Sequence, residues 1–450
     1  MYSSYSALQR KQLAAQAYTD TQSTYLLVYA PNRHTVLQAA LADQLHRKFR
    51  LVTRLEPELT DSAAGVLLVS EDVECMSTTL MYFAKALQEG ADYVICDAVF
   101  GFDGKTALYR SREHLPGARF ALVSRDLLTR CRAAARDPED VAELLALAAR
   151  LCTAPISIPQ ALLHYQRGIC AEDAFSVSGR RAFVMSHVLD MTGAPIVLVS
   201  AIPVLRSMGY EVVVLGPSDG GSLQLFVDAG ASVITHPEMQ TSPELWGLAL
   251  SSDVVLANTV VMARAVRTLS GAPVPVLWWL HDAFVGYPHI AYQIPTKLDS
   301  NVKIYSVGQH AANAMHTVRP DFPIRQLVYG LPDYAQENFV RSDLGYGHGR
   351  PLFATVGSFE RRKGHDIFCQ AIRMLAPEVR EKASFLFVGK AADKEMMDTV
   401  RDLTTDYPEN VFYCKRLSRD EIKSLMEQCS CLVCASRDDP MPTFVTEGLI

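Results

Sequence analysis

Short, largely apolar runs, most followed by a loop and then a helix-like pattern, recur along the whole of this chain. They stand at residues 25–29, 65–69, 93–96, 182–185, 211–215, 253–256, 274–280, 303–307, 352–356, 384–388, 410–413 and 431–435. Such a run reads as a strand buried on both faces, not as the alternating strand of a sheet with one wet side. Helix-like stretches between them, such as 35–45, 80–87, 139–151, 196–208, 366–374 and 419–428, are the crossovers that parallel strands need. The pattern predicts an α/β protein of doubly wound parallel sheets. In sheets of that kind, ligands bind beyond the carboxyl ends of the strands, so the loops after these runs are where function is to be sought.

Length sets how many sheets to expect. At 450 residues, three domains of ordinary size fit. We divide the chain into 1–175, 182–340 and 349–450, with the polar stretch 171–181 as the first boundary. Gly209 gives the helix over 196–208 a good stop. The third segment stops at Ile450, inside the helix expected after its last loop. That leaves a last domain expected to be incomplete, or a chain that continues. Apolar residues make up 49% and charged residues 20%, enough for several cores and unlike a disordered chain. The formal charge of −6 argues against a broad nucleic-acid surface. No stretch has the length and apolarity of a membrane span, and Met1-Tyr2-Ser3-Ser4-Tyr5 lacks the apolar core of a secretion signal. Ten scattered cysteines fit reduced, cytosolic thiols. Cys429, Cys431 and Cys434 lie close together, but their setting reads as a buried strand and a zinc site needs a fourth ligand, so no metal is expected.

Two loops in the third segment carry chemistry. The first is Gly357-Ser358-Phe359-Glu360-Arg361-Arg362-Lys363-Gly364, after the run at 352–356. A helix N-terminus with unsatisfied N–H groups, a glycine that lets backbone approach, a compact Lys363 charge and the planar Arg361 or Arg362 suit a diphosphate. The second is Ser436-Arg437-Asp438-Asp439-Pro440-Met441-Pro442-Thr443-Phe444-Val445-Thr446-Glu447. Glu447, one helical turn into the next element, can accept both hydroxyls of a ribose. Asp439, with the backbone of Met441, Pro442 and Thr443, can hold sugar hydroxyls or phosphate oxygens. Taken alone, the basic run also fits a solvated turn, and Glu447 an ordinary first-turn acid. Both loops in this order, each after a buried strand, favour a pocket for a nucleoside diphosphate carrying a sugar. In the second segment, Trp278-Trp279-Leu280-His281-Asp282 sets His281 at a strand end, where it either reaches a bound sugar or serves the fold. Thr192-Gly193-Ala194 follows the first strand of that segment.

With these residues in place, 182–450 resembles glycosyltransferase family 4, retaining enzymes of GT-B architecture that build polysaccharides and glycolipids. The resemblance rests on Gly193-Ala194, His281, Tyr329-Gly330-Leu331-Pro332-Asp333, Gly357 with Lys363-Gly364, and the acid pair Asp439 and Glu447. It implies two Rossmann-like domains facing a cleft, with His281, Lys363 and Asp439 as catalytic residues. It further implies that Gly193, Ala194, Gly357, Arg361, Arg362, Lys363, Met441, Pro442, Thr443 and Glu447 bind substrate. Neither cofactor nor metal is implied. The implied partners are a nucleoside diphosphate sugar donor and a glycan or lipid-linked glycan acceptor. That acceptor would bring a cytoplasmic protein to the inner membrane face, and a homo-oligomer is compatible. Asp439 departs from the family's usual Glu. The first segment resembles family 2 glycosyltransferases of GT-A type, with Ser70-Glu71-Asp72 where those enzymes hold a metal-binding Asp-x-Asp. Its front half is compressed and the first Asp is missing, so we read it as a reduced, non-catalytic module. The rival readings are a glycan-binding or scaffold subunit and a GT-B epimerase.

Overall fold

The computed structural model describes residues 24–32, 34–102, 105–110, 119–175, 179–330, 340–347 and 349–449. It divides into two compact units, one of residues 1–257, 268–276 and 299–301, the other of 258–267, 277–298 and 302–450. Both are α/β, the class the strand and helix pattern predicts.

In the first unit the strands are β1 (Leu26–Tyr29), β2 (Phe49–Val52), β3 (Gly65–Val69), β4 (Glu74–Cys75), β5 (Tyr93–Phe102), β6 (Lys105–Arg110), β7 (Phe120–Ser124), β8 (Pro155–Tyr165), β9 (Arg180–Ser186), β10 (Tyr210–Gly216), β11 (Ser232–Thr235) and β12 (Val254–Asn258). Their order in the sheet is β12-β9-β10-β11-β6-β5-β7-β3-β1-β2. Two stretches are parallel, as expected: β2-β1-β3 and β9-β10-β11. The middle is not. β5 pairs antiparallel with β6 and β7, and β3 antiparallel with β7. Only two residues separate β5 from β6, too few for a crossover, so the pair can only be a hairpin. β6 then pairs antiparallel with β11, matching Arg110, Tyr109 and Leu108 with Val233, Ile234 and Thr235. Tyr109, buried, adds a hydroxyl bond to Ser232 Oγ at 2.9 Å. One sheet thus carries strands from before residue 175 and after residue 180.

Local rules place the helices. Ser124 accepts the Leu127 N–H and Asp140 accepts those of Ala142 and Glu143, opening the helices Arg125–Ala134 and Val141–Leu151. Each such cap contributes about 1 kcal/mol. The second begins two residues later than the pattern predicts because Asp140 is its cap. Its Leu144, Leu145 and Ala148 pack with Leu27, Leu68, Tyr93 and Ile95 of the sheet.

The second unit holds β13 (Val276–Leu280), β14 (Val302–Ser306) and β15 (Ile324–Gln326) in the order β15-β14-β13. A separate four-stranded sheet comprises β16 (Leu352–Val356), β17 (Ser384–Val388), β18 (Val411–Cys414) and β19 (Cys431–Leu432), ordered β18-β17-β16-β19 and parallel throughout. The helix His365–Met374 buries Phe368, Cys369 and Ile372, and Lys394–Asp406 buries Met396, Met397, Val400 and Leu403. The two share one core with Phe385, Phe387 and Val411. The sequence reading of 431–435 as a buried strand is corrected. β19 is two residues long, meets β16 only at Phe353–Cys431 and Ala354–Leu432, and leaves Cys431 and Cys434 exposed. Among the described residues it is an edge strand, with a strand partner on one side alone.

Candidate active site

The basic loop begins where β16 ends. Gly357 donates its N–H to Val388 O at 2.9 Å, and Phe359 donates to Lys390 O at 2.8 Å, so the loop lies along the end of β17. The approach is close enough to need glycine. A Cβ on Gly389 would fall 1.8 Å from Gly357 O. Phe359 is fully buried, and its ring meets His365 edge-on at 4.6 Å. Burial, with the Lys363 charge nearby, pushes the His365 imidazole down to about 4, so it is neutral at neutral pH. A single turn over Arg361–Lys363 then presents the cations, and Gly364 starts the next helix with φ 70°. A side chain at Gly364 would be strained by that φ, and its Cβ would sit 2.0 Å from Ala435 O.

That last contact brings in the acidic loop, which is laced to the basic one. Arg437 donates its N–H to Arg362 O at 2.7 Å and its guanidinium to Arg361 O at 2.9 Å. The same guanidinium grips Asp366 through two bonds of 2.7 Å. Lys363 Nζ donates to Asp439 Oδ2 at 2.5 Å, and Arg362 stands 3.9 Å from Asp439 Oδ1. The Lys363 and Asp439 side chains are 16% and 9% exposed, so the pair is largely withdrawn from water. Arg362 is also tethered to Glu360 at 2.9 Å, whereas Arg361 is exposed.

Asp438 is the residue that sequence reasoning passed over. Its carboxylate accepts the Phe284 and Val285 N–H groups at 3.1 and 2.9 Å and His310 Nε2 at 2.7 Å. Burial opposes its charge, but the His310 bond and the two N–H groups outweigh that and hold the carboxyl below its ordinary value. Phe284 and Val285 lie in the turn just after His281, and His310 lies in the helix Gln309–His316 after β14. Neighbouring acids in sequence thus have opposite duties: Asp438 grips backbone, and Asp439 faces the cations.

His281 follows β13. Its ring lies 4.5 Å from Trp279, edge-on, and 6.4 Å from Tyr329 in a near-parallel arrangement. The Tyr329 hydroxyl donates to Met441 O at 3.0 Å. Burial holds that phenol above its ordinary value, a Thr446 bond opposes the rise, and the charges of Asp439 and Glu447 add to it. Tyr329 therefore joins His281 to the acidic loop, and Glu447 ends the helix Thr443–Glu447 that follows it. The first N–H groups of that helix have no helical acceptor, as at any helix start. Below His281, Asp282 accepts the Val260 N–H at 2.5 Å. Its carboxylate is enclosed although the residue keeps some exposed surface, and burial pushes it up to about 6 despite N–H bonds from Val260 and His281. The preceding Thr259 has φ 76°, a region costly for a branched residue, and is pinned there by bonds to Trp278 and Trp279.

Of the site residues read from sequence, His281, Gly357, Arg361, Arg362, Lys363, Asp439, Met441, Pro442, Thr443 and Glu447 all fall in the second unit. Gly193 and Ala194 open the helix Gly193–Ser207 in the first, where Asp190 accepts the Thr192 N–H at 3.1 Å. Leu331, Pro332 and Asp333 lie outside the described residues. In the first unit, Glu71 is held by the Arg167 guanidinium at 2.5 and 2.8 Å, together with Asp173. Asp72 accepts the N–H groups of Val36 and Leu37 at the start of the helix Thr35–Ala42. Both acids of the Ser70-Glu71-Asp72 stretch are thus engaged within the fold. Among the described residues, no group of three or more His, Cys, Asp or Glu is placed to hold a metal ion, and no helix is long and apolar enough to cross a membrane.

Residues 178–315 match the family model described as glycosyl-transferase family 4, and residues 336–449 match glycosyl transferases group 1. Comparison with curated proteins finds no match. Among solved structures, the catalytic domain of starch synthase IV from Arabidopsis thaliana, bound to ADP and acarbose, is similar with a TM-score of 0.45 and 9% identity, over 60% of this chain and 81% of that one. WaaG, a glycosyltransferase involved in lipopolysaccharide biosynthesis, aligns with a TM-score of 0.42 and 15% identity, over 57% and 75%. An α,α-trehalose-phosphate synthase (UDP-forming) from Burkholderia vietnamiensis aligns with a TM-score of 0.41 and 12% identity, over 60% and 80%. Residues 178–315 and 336–449 thus belong to the family 4 and group 1 glycosyltransferases.

Proposed function

We propose that this glycosyltransferase moves a sugar, with retention of anomeric configuration and without a metal ion, from a nucleoside diphosphate sugar to a glycan or lipid-linked glycan of the cell surface. One observation carries the reading. The basic turn at Arg361–Lys363 and the acidic loop at Asp438–Thr443 are locked together, with Lys363 against Asp439, and the helix that follows the acidic loop ends at Glu447. Cations for a diphosphate, a carboxylate for a ribose and a polar rim for a sugar therefore share one neighbourhood. Residues 182–340 serve the acceptor and 349–450 the donor, while 1–175 is a non-catalytic module. The protein works in the cytoplasm at the membrane face, where such acceptors lie.

In this reading Glu447 accepts the ribose hydroxyls, and Lys363 with Arg362 faces the diphosphate. Asp439 and the Met441–Thr443 backbone hold the donor sugar, and His281 adds a further sugar contact. The bond from the anomeric carbon to the β-phosphate oxygen breaks as the acceptor oxygen adds to the same face, and the acceptor proton passes to the leaving phosphate oxygen. Negative charge grows on the diphosphate as that bond breaks, so Lys363 contributes most in the transition state. The cations and helix starts supply the positive field that a metal provides in other sites. The test is product analysis by NMR after incubation with nucleoside diphosphate sugars and a chelator. A product retaining the donor's anomeric configuration, with loss of turnover in Lys363→Ala, supports the proposal. Inversion, or turnover only with added metal, overturns it.

A further inference from the structure

A close contact in the candidate site joins two of its own groups. Lys363 Nζ lies 2.5 Å from Asp439 Oδ2, Arg362 lies 3.9 Å from Asp439 Oδ1, and the pair is mostly buried. The cation assigned to the diphosphate thus has a counter-ion within the protein. We infer that Asp439 determines which diphosphate the site keeps, favouring the sugar-bearing donor over the spent nucleoside diphosphate. This rests on the reading of Lys363 as the diphosphate cation.

The physical reason is charge. Above the second phosphate ionisation, near pH 6, a free nucleoside diphosphate carries one more negative charge than its sugar ester, on the terminal phosphate. That phosphate competes with Asp439 for Lys363 and is repelled by the carboxylate beside it. The sugar ester lacks the extra charge and brings hydroxyl groups, which Asp439 can accept while it shares the three donors of Lys363. One carboxylate thus weakens the product and holds the donor, which speeds clearance of the site after transfer. A neutral side chain at 439 removes the discrimination. If Asp439 serves only to aim Lys363, its loss instead weakens both ligands.

Calorimetry on the full chain at pH 8 and fixed salt separates these cases. UDP, GDP, ADP and dTDP are titrated first into the unaltered protein, then the one that binds and its glucose ester into Asp439→Asn. The free diphosphate is expected to bind about three- to tenfold tighter to the variant, the range for removing a mostly buried competing charge. The glucose ester is expected to bind no tighter. Asp439→Ser, also neutral, gives the same shift and guards against a fault in the amide variant. Unchanged or weaker binding of the free diphosphate in both folded variants overturns the inference and leaves the diphosphate site standing. Binding of no nucleotide to the unaltered, folded protein removes the site itself, and the inference with it.

Discussion

Asp438 and Asp439 sit side by side, and nothing in their chemistry separates them. Their neighbours do. Asp438 spends its carboxylate on Phe284, Val285 and His310, so Asp438→Ala leaves two N–H groups and an imidazole without their acceptor. It is expected to cost about 2–3 kcal/mol in denaturant melts, with Asp438→Asn losing less. Lys363→Ala is expected to cut turnover of the folded fraction by about 100-fold or more, because its charge acts on the leaving group, and to cost about 3 kcal/mol of stability, because Asp439 is left without its counter-ion. Undiminished turnover in the folded variant would mark it as a structural cation. Glu447→Gln is expected to weaken nucleoside diphosphate binding about tenfold through its ribose contact, and unaltered affinity in a titration removes that role. Asp282 gives a pH test. Its carboxyl rises from 3.8 to about 6 on folding, so the folded state prefers it protonated. The associated stability is present below pH 3.8 and is lost as pH rises through 6. Asp282→Asn escapes that loss. Melts at pH 4 and pH 7 are expected to show the variant gaining on the native protein by about 2–3 kcal/mol, and a constant difference refutes the assignment.

The glycines mark where elements meet, and they differ in what they tolerate. At Gly389 a methyl group meets Gly357 O at 1.8 Å, and at Gly364 it meets Ala435 O at 2.0 Å on a left-handed backbone. Either change to alanine is expected to push the basic loop off its seat, lowering stability by more than about 2 kcal/mol and weakening diphosphate binding. Gly247, inside the helix Pro243–Leu250 with nothing near its Cβ, is the contrast. Gly247→Ala is expected to stabilise by about 0.5–1 kcal/mol. The strands and the two chemical loops were legible in the sequence because buried parallel strands leave unbroken apolar runs, and glycines and cations gather at their ends. Asp438 was not, because its meaning depends on His310 and the 284–285 turn, far away in sequence. The short edge strand β19 was not either, because an apolar run does not say how many neighbours a strand has. The β5–β6 hairpin was missed for a related reason: Asp97 was read as the end of the strand at 93–96, whereas β5 carries it in its middle and runs on through the apolar residues after it.

In the chain as a whole, the least legible feature was the joint between β6 and β11, where an antiparallel pair makes one sheet of strands that composition assigns to separate segments. Residues 1–175 therefore cannot be judged by resemblance alone. Glu71 and Asp72, read from the sequence as the counterpart of a metal-binding pair, are engaged by Arg167 and by the helix Thr35–Ala42. Replacing both by Ala is expected to lower stability by about 2–3 kcal/mol while the folded fraction keeps its transfer activity. Loss of turnover in a fully folded double variant shows instead that this part of the chain takes part in the chemistry. The most direct test of a metal-free donor site in the second unit is a calorimetric titration of the full chain with UDP, GDP, ADP and dTDP in the presence of a chelator. Binding of one of them, weakened in Lys363→Ala and Glu447→Gln, is the expected result and names the donor base. Binding of none by a folded protein, or binding only when metal is restored, contradicts it.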